Sequence, residues 1–458
     1  MEKINSFDVF DTIFGRRYFD NSPILDLIEK ITKIPNFVQE RKNADDGRRN
    51  LNEIYEYLNQ IGSINSDQIS QIKEMEIDLE MENIFPIKEM IDKIKDGDLL
   101  ISDMYMSGSD ILSLVRSVGM DKQVTIYQSA GDKRTGAFWN NAIQNNLQIA
   151  THYGDNAVSD VNNPKSVGIN SYHFINSINV SESENYFITN KLNLIACLVR
   201  EIRLRNDEQA HKHLFYTANQ LNLPWLLFTC EMIYRKYKGT PLVFLARDCQ
   251  LLYKLYNEFY ERSYYLPFSR KVALNQTELA AGYLNNQIPK GATLIDISST
   301  GRTWEKVCAV SPFNISVIIY SDIFHYSKEK PILPETFSWF SSNSVIGKTN
   351  ELIELMNCGD HGYLDRIEQF GDIFLSKFGD MELDKDIVDV IHKPINDAVS
   401  LSSYYKGNLR TTLGGISDDA LHQLFKMFLE QIHQQGSLMN QYPEFLKNQN
   451  TYFQGISK

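Results

Sequence analysis

Apolar positions along this chain fall into short dense runs, separated by long stretches in which they recur every three or four residues. Residues 4–10, 98–101 and 124–127 are runs of the first kind, bounded by polar residues and of strand length. Residues 152–160 read as a fourth strand end, and 166–169 with 172–174 close the series. Between the first two runs, residues 24–91 carry helical periodicity, with Arg41, Arg48 and Arg49 followed by Glu74, Glu76, Glu80 and Glu82. This predicts a helical insert, a cap over the strand tips, spanning about residues 20–92. A Ser- and Asn-rich stretch at 176–185 reads as a linker, and 191–238 as helices in which Leu194, Ala196 and Trp225 face a core. Strand runs resume at 241–246, 264–268, 292–297 and 317–320. From Asn350 the chain turns helical again, with amphipathic helices over 385–450. Strands alternating with helices predict an α/β protein with two doubly wound parallel sheets. The expected division is 1–180, a joining segment at 181–238, and 239–458.

Composition narrows the partners. A length of 458 residues suits two or three domains, and 43% hydrophobic with 23% charged residues is ordinary for a globular chain. The net charge of -12 argues against a protein that grips a nucleic-acid backbone, so anionic ligands must be held by local cations and metal. No apolar stretch is long enough for a membrane span and no secretory signal opens the chain, although the amphipathic C-terminal helices leave peripheral membrane contact open. Cys197, Cys230, Cys249, Cys308 and Cys358 show no paired metal spacing and read as reduced cysteines of a cytoplasmic protein. Tyr-Phe-Gln-Gly at 452–455 has the look of a protease-tag remnant.

Candidate chemistry sits at the ends of the strand runs. In a parallel sheet, ligands meet the carboxyl ends of the strands. There the chain places Asp8 and Asp11, then Ser102, then Lys133 in the segment 129–136, then Asp155 and Asp160. Carboxylates with a lysine and a hydroxyl make a metal-assisted phosphoryl site. The order and spacing resemble the haloacid dehalogenase superfamily over about residues 1–180. Its Asp-x-x-x-Thr matches Asp8 to Thr12, its Ser/Thr matches Ser102, its Lys matches Lys133, and its Gly-Asp-x4-Asp matches Gly154 to Asp160. The resemblance implies Asp8 as an aspartyl-phosphate nucleophile and Thr12, Ser102 and Lys133 as phosphate-binding groups. It also implies Mg²⁺ held by Asp8, the Phe10 carbonyl and Asp155, with Asp160 in support. The chain departs from the superfamily at one position: the usual general-acid Asp two residues past the nucleophile is Phe10. The next acid is Asp11, which can stand in only where the backbone loops, because a one-residue shift along a strand reverses the side chain.

The second half carries its own phosphate pattern. The run 292–297 ends at Asp296 and passes into Ser298, Ser299, Thr300, Gly301, Arg302 and Thr303, with a predicted helix beyond. A strand, an acid, a small polar loop and a helix start form an anion cradle, and an ordinary loop with Ser and Thr helix caps gives the same pattern. The stretch resembles the ribose-5-phosphate loop of type I phosphoribosyltransferases. That family's first strand often leads to an Arg on the pyrophosphate, matched by Arg247 beside Asp248. Arg270 follows a later strand and fits a cationic hood. The family usually has two adjacent acids for the ribose hydroxyls; here Ile297 follows Asp296, so either Asp296 does that work alone or Asp248 or Asp322 contributes. His361 is a candidate base for the acceptor.

Together the halves resemble bacterial polysaccharide enzymes that install ribofuranose. That resemblance implies transfer of 5-phosphoribose from phosphoribosyl pyrophosphate to a glycan acceptor, possibly lipid-linked, followed by removal of the 5-phosphate. The alternatives are a sugar-phosphate phosphatase with a non-catalytic or regulatory C-terminal binding module, and a nucleotide-salvage transferase.

Overall fold

The computed structural model describes residues 3–129, 131–207, 210–297, 307, 310, 314–317, 349–381 and 383–443. The chain divides into two compact units, Met1–Asp207 and Glu208–Lys458. Each contains a parallel sheet flanked by helices, the α/β class expected from the alternation of runs.

In the first unit the strands are β1 (Ile4–Asp8), β2 (Phe14–Arg16), β3 (Ile84–Pro86), β4 (Leu99–Ser102), β5 (Thr125–Gln128), β6 (Ile149–Gly154) and β7 (Asn170–His173). Five of them form one sheet in the order β5-β4-β1-β6-β7, every pairing parallel. The chain builds outward from β1 through β4 to β5, then crosses back to β6 on the other side. A reversal of strand order of this kind opens a crevice at the carboxyl edge, and β1 stands beside it. Phe7 is fully buried in that central strand and stacks on Tyr153 of β6, ring centroids 4.8 Å apart. Removing such a ring costs about 3–5 kcal/mol.

The helical insert consists of α1 (Ser22–Thr32), α2 (Phe37–Ala44), α3 (Leu51–Gln60) and α4 (Ile69–Asn83). It leaves and rejoins the sheet through the short antiparallel pair β2 and β3, with Phe14 opposite Pro86 and Arg16 opposite Ile84. Pro23 sits in the first turn of α1, where its missing N–H costs nothing. Asn50 and Glu53 open α3 with a reciprocal capping box. Phe37, Ile54, Tyr55 and Leu58 form its apolar interior. The polar exception is Arg41, which reaches both Glu76 carboxylate oxygens at 2.9 and 2.6 Å, while the Tyr55 hydroxyl donates to the same carboxylate at 2.7 Å.

In the second unit β8 (Leu242–Leu245), β9 (Tyr264–Leu266), β10 (Thr293–Asp296) and β11 (Asn314–Val317) form a sheet in the order β11-β10-β8-β9, again all parallel. β8 is buried along its whole length, as its Leu-Val-Phe-Leu run requires. Trp225 is fully buried against Phe425, in keeping with its reading as core. Two features differ from the expectation. Residues after Asn350 are not helical throughout: β12 (Leu364–Phe370) and β13 (Ile373–Phe378) form an antiparallel hairpin around Gly371, whose φ of 63° suits a tight turn. Arg270 does not end a strand either. Ser269 caps a short helix, Arg270–Asn275, and Arg270 is its first residue. No helix among the described residues is long and apolar enough to cross a membrane.

Candidate functional site

The β1 strand delivers Asp8 to the carboxyl edge of the first sheet, where β4 delivers Ser102 and β6 ends at Gly154, one residue before Asp155. Asp8, Asp155 and Asp160 each offer a carboxylate oxygen within 4.8 Å of the others. Three hard oxygen donors this close form a buried cluster that can bind a metal ion. The Lys133 ammonium contacts Asp8 and lies 2.8 Å from Asp160. Thr12 donates its hydroxyl to Asp8 at 3.3 Å, and the buried Ser102 hydroxyl accepts from the Met104 amide at 3.2 Å. Asp8, Ser102, Lys133, Asp155 and Asp160 edge a cavity of about 390 Å³, which also meets Phe10 and Asp11, while Thr12 is fully buried behind Asp8. That is room for a small organic ligand and not only a bare ion.

Local backbone geometry places each group. Beyond β6, a π-helical turn, Ala157–Asn162, swings Asp160 back under the strand, where its carboxylate accepts from the Asn156 amide at 2.9 Å. A Cβ on Gly154 would stand 2.4 Å from the Asp160 carboxyl carbon, so only glycine fits there. Lys133 rides on the single turn Asp132–Thr135, flanked by Gly131 and Gly136 at φ of 92° and 85°. Asp103 anchors that turn: its carboxylate accepts from the Ser129 hydroxyl and from the amides of Gly131, Lys133 and Arg134. Asp11 sits at φ 55°, so the chain does loop immediately after β1, the condition under which its carboxyl can reach the site. Arg200, on the helix Asn193–Arg205, meets that carboxyl at 3.2 Å.

Burial and neighbours set the charges. Burial raises the Asp8 carboxyl well above the usual range, an effect Lys133 partly offsets. Burial, with Asp160 and Asp11 nearby, pushes Asp155 up to about 6. At Asp160 burial is outweighed by Lys133 and His152, and the carboxyl lies below the usual range. At Lys133 burial is outweighed by Asp8 and Asp160, so the ammonium is held above the usual lysine range. One ammonium thus faces three carboxylates, and the surplus negative charge is what a divalent cation would neutralise. Behind the cluster, His152 lies between Asp160, 3.1 Å from Nε2, and the Ser6 hydroxyl, 2.9 Å from Nδ1. An ionised Asp160 only accepts, so Nε2 carries the proton and Nδ1 accepts from Ser6. Neither Ser6 nor His152, nor the anchoring role of Asp103, is marked by any motif; for Ser6 and His152 the signal is a buried polar residue on a strand.

No protein-family model matches the chain, and no curated protein matches it.

In the second unit the order of strands also reverses, between β8 and β10. Arg247 and Asp248 follow β8, and Asp296 is the last residue of β10, so the structure brings these three to one carboxyl edge. Ser298, Ser299, Thr300, Gly301, Arg302 and Thr303 lie outside the described residues, as do Asp322 and Cys308. Gln250, at the start of the helix after β8, holds the segment around Gly359 in place. It donates to the Asp360 carboxylate at 2.5 Å and accepts from the Asp360 amide at 2.8 Å. Next to it His361 meets the Tyr265 hydroxyl at 2.7 Å. Arg270 lies past the end of β9, in the helix capped by Ser269, with its neighbour Lys271 paired to Asp365.

Proposed function

We propose that the chain is a bifunctional enzyme of bacterial polysaccharide assembly, acting in the cytoplasm. Its second unit transfers 5-phosphoribose from phosphoribosyl pyrophosphate to a glycan hydroxyl, and its first unit, a phosphatase of haloacid dehalogenase type, removes the 5-phosphate. The observation that carries the reading is the convergence of Asp8, Asp155, Asp160 and Lys133 beside Ser102 and Thr12 at the switch point of a parallel sheet. The three carboxylates suit Mg²⁺, with Asp8, Asp155 and the Phe10 carbonyl as ligands and Asp160 behind them. Bound there, Mg²⁺ would neutralise the phosphoryl oxygens and the nucleophile alike.

In the phosphatase step an Asp8 carboxylate oxygen attacks phosphorus while the bond from phosphorus to the ribose oxygen breaks. Lys133 and the hydroxyls of Ser102 and Thr12 hold the phosphoryl oxygens. Asp11, looped toward the cavity, gives its proton to the departing ribose oxygen, taking the place of the acid that Phe10 lacks. Water then cleaves the acyl phosphate and regenerates Asp8. In the transfer step Arg247 chelates the pyrophosphate, Asp296 and Asp248 hold the ribose hydroxyls, and residues 298–303 hold the 5-phosphate. The placement of Arg247, Asp248 and Asp296 at one strand-order reversal supports this assignment. A tethered phosphatase meets the transferred ester at raised effective concentration, and hydrolysis makes the sequence irreversible.

The test is incubation with phosphoribosyl pyrophosphate, Mg²⁺ and a panel of acceptors. Pyrophosphate release that needs a glycan, followed by phosphate release, is the expected result. Release that needs a free base would indicate salvage. Phosphomonoester hydrolysis with no pyrophosphate release under any condition would leave a phosphatase with a binding module.

A further inference from the structure

The cavity beside the three aspartates is lined by five cations, and their pairing separates them into two groups. Lys133 is engaged by Asp8 and Asp160. Arg16 binds Glu80 at 2.6 Å and lies 4.4 Å over the Phe10 ring. Arg49 donates to the Ala44 carbonyl at 2.9 Å and stacks 4.3 Å over Tyr57. Arg48 and Arg134 differ. The Arg48 guanidinium has no hydrogen bond or ion pair among the described residues, and that of Arg134 reaches only the Gly47 carbonyl, at 3.4 Å.

The local fold explains why these two charges stay uncompensated. Residues 45–49 form a turn between α2 and α3, with Gly47 at φ 74°. The acids of that turn face its own backbone: Asp45 accepts from the Gly47 amide at 3.1 Å, and Asp46 accepts from the amides of Arg48 and Arg49 at 2.9 Å each. Asp46 also lies 3.8 Å from the Arg49 guanidinium, and neither acid pairs with Arg48 among the described residues. The Arg134 contact to Gly47 brings the second guanidinium to the same turn, on the opposite lip from the helical insert. Two free guanidiniums thus line the outer part of a cavity whose inner end is acidic and built for a metal and a phosphoryl group.

We infer that the phosphate ester processed here carries a second anion on the far side of the ribose, bound between Arg48 and Arg134. The acceptor is then an acidic glycan, with a carboxylate or a phosphodiester on the sugar next to the ribose. Guanidinium forks match the oxygens of either group in bidentate fashion. The inference rests on the phosphatase reading of the aspartate cluster and adds the class of aglycone to it.

Three esters test it with the full-length protein and Mg²⁺: methyl ribofuranoside 5-phosphate, a 5-phosphoribosyl glucoside whose glucose carries a methyl phosphodiester, and a 5-phosphoribosyl glucuronoside. The expected result is a kcat/KM at least ~10-fold higher for one or both two-anion esters than for the methyl glycoside. In the double variant Arg48→Gln, Arg134→Gln that preference falls to about 1, and in the wild type it shrinks as salt is raised. Preference for the phosphodiester alone identifies a phosphate-bearing neighbour, and preference for the glucuronoside alone identifies a uronate. Equal kcat/KM for all three esters, or a preference that survives the double substitution, overturns the inference while leaving the phosphatase intact. Hydrolysis of none of them overturns the phosphatase reading itself.

Discussion

At the scale of single residues, the geometry around Asp160 depends on the methyl group that Gly154 lacks. Gly154→Ala would force the Asp160 carboxyl away from both Lys133 and the Asn156 amide. Expected is a loss of phosphomonoester hydrolysis of at least ~10-fold with the circular dichroism spectrum unchanged, since a misplaced catalytic group is costly even when the fold survives. His152 acts one layer further back. It touches no substrate position and orients Asp160, so His152→Leu should weaken Mg²⁺ activation by ~10–100-fold with a smaller effect on kcat at saturating Mg²⁺. A magnesium titration of activity separates the two effects; an unchanged half-saturation point would contradict the positioning role. Asp8, Ser102, Lys133, Asp155 and Asp160 could be placed at one edge from the sequence because each lies at or near the carboxyl end of a strand run. The Ser6–His152 pair was not, because it joins two strands 146 positions apart and leaves no local pattern.

At the scale of elements, the helical insert could be foreseen from its periodicity, but not the ion pair at its centre. Arg41 and Glu76 come from helices α2 and α4 and are almost wholly buried. Arg41→Ala leaves a buried carboxylate without its partner and should destabilise the insert by about 3–5 kcal/mol. Hydrogen exchange should then accelerate over residues 22–83 and much less in β1, β4 and β6. The helix Asp418–Gln434 carries a second buried polar group, His433, whose ring nitrogens have no partner among the described residues. Burial lowers its imidazole to about 4. A base whose pKa is depressed by folding is protonated first in the unfolded chain. The folded state is therefore unpenalised above about pH 6.5 and loses stability as pH falls from there toward 4, by about 3 kcal/mol in all. His433→Leu should make the fall of Tm between pH 7.5 and 5 shallower than in the wild type; parallel curves would contradict this. The hairpin β12–β13 escaped sequence reading because its apolar residues do not alternate cleanly. Leu364 and Ile367 are buried but stand three residues apart across a register shift, while Phe370, Ile373, Leu375 and Phe378 are exposed to a substantial degree, so the buried face leaves no period of two.

At the scale of the whole molecule, the chain holds two parallel sheets, each with its own reversal of strand order and its own acids at the carboxyl edge. If the two edges perform successive steps, damage to one should spare the other. Asp8→Asn should abolish phosphate release and leave acceptor-dependent pyrophosphate release within about 2-fold. Asp296→Asn should do the reverse, with hydrolysis of a simple phosphomonoester as the check. Equal loss of both activities in either variant would contradict the division of labour. Both sheets were legible from strand–helix alternation. The contact boundary at Asp207 was less so, because the helix Asn193–Arg205, read as part of a joining segment, packs into the first unit and carries Arg200 to Asp11. The short ladder of β2 with β3 has a consequence for engineering. Since the excursion from residue 17 to 83 starts and finishes on adjacent rungs, its loop closure is already settled at its base. A different helical insert could be grafted onto Arg16 and Ile84 without disturbing the register of the sheet below, and the same acid cluster would then face a different wall.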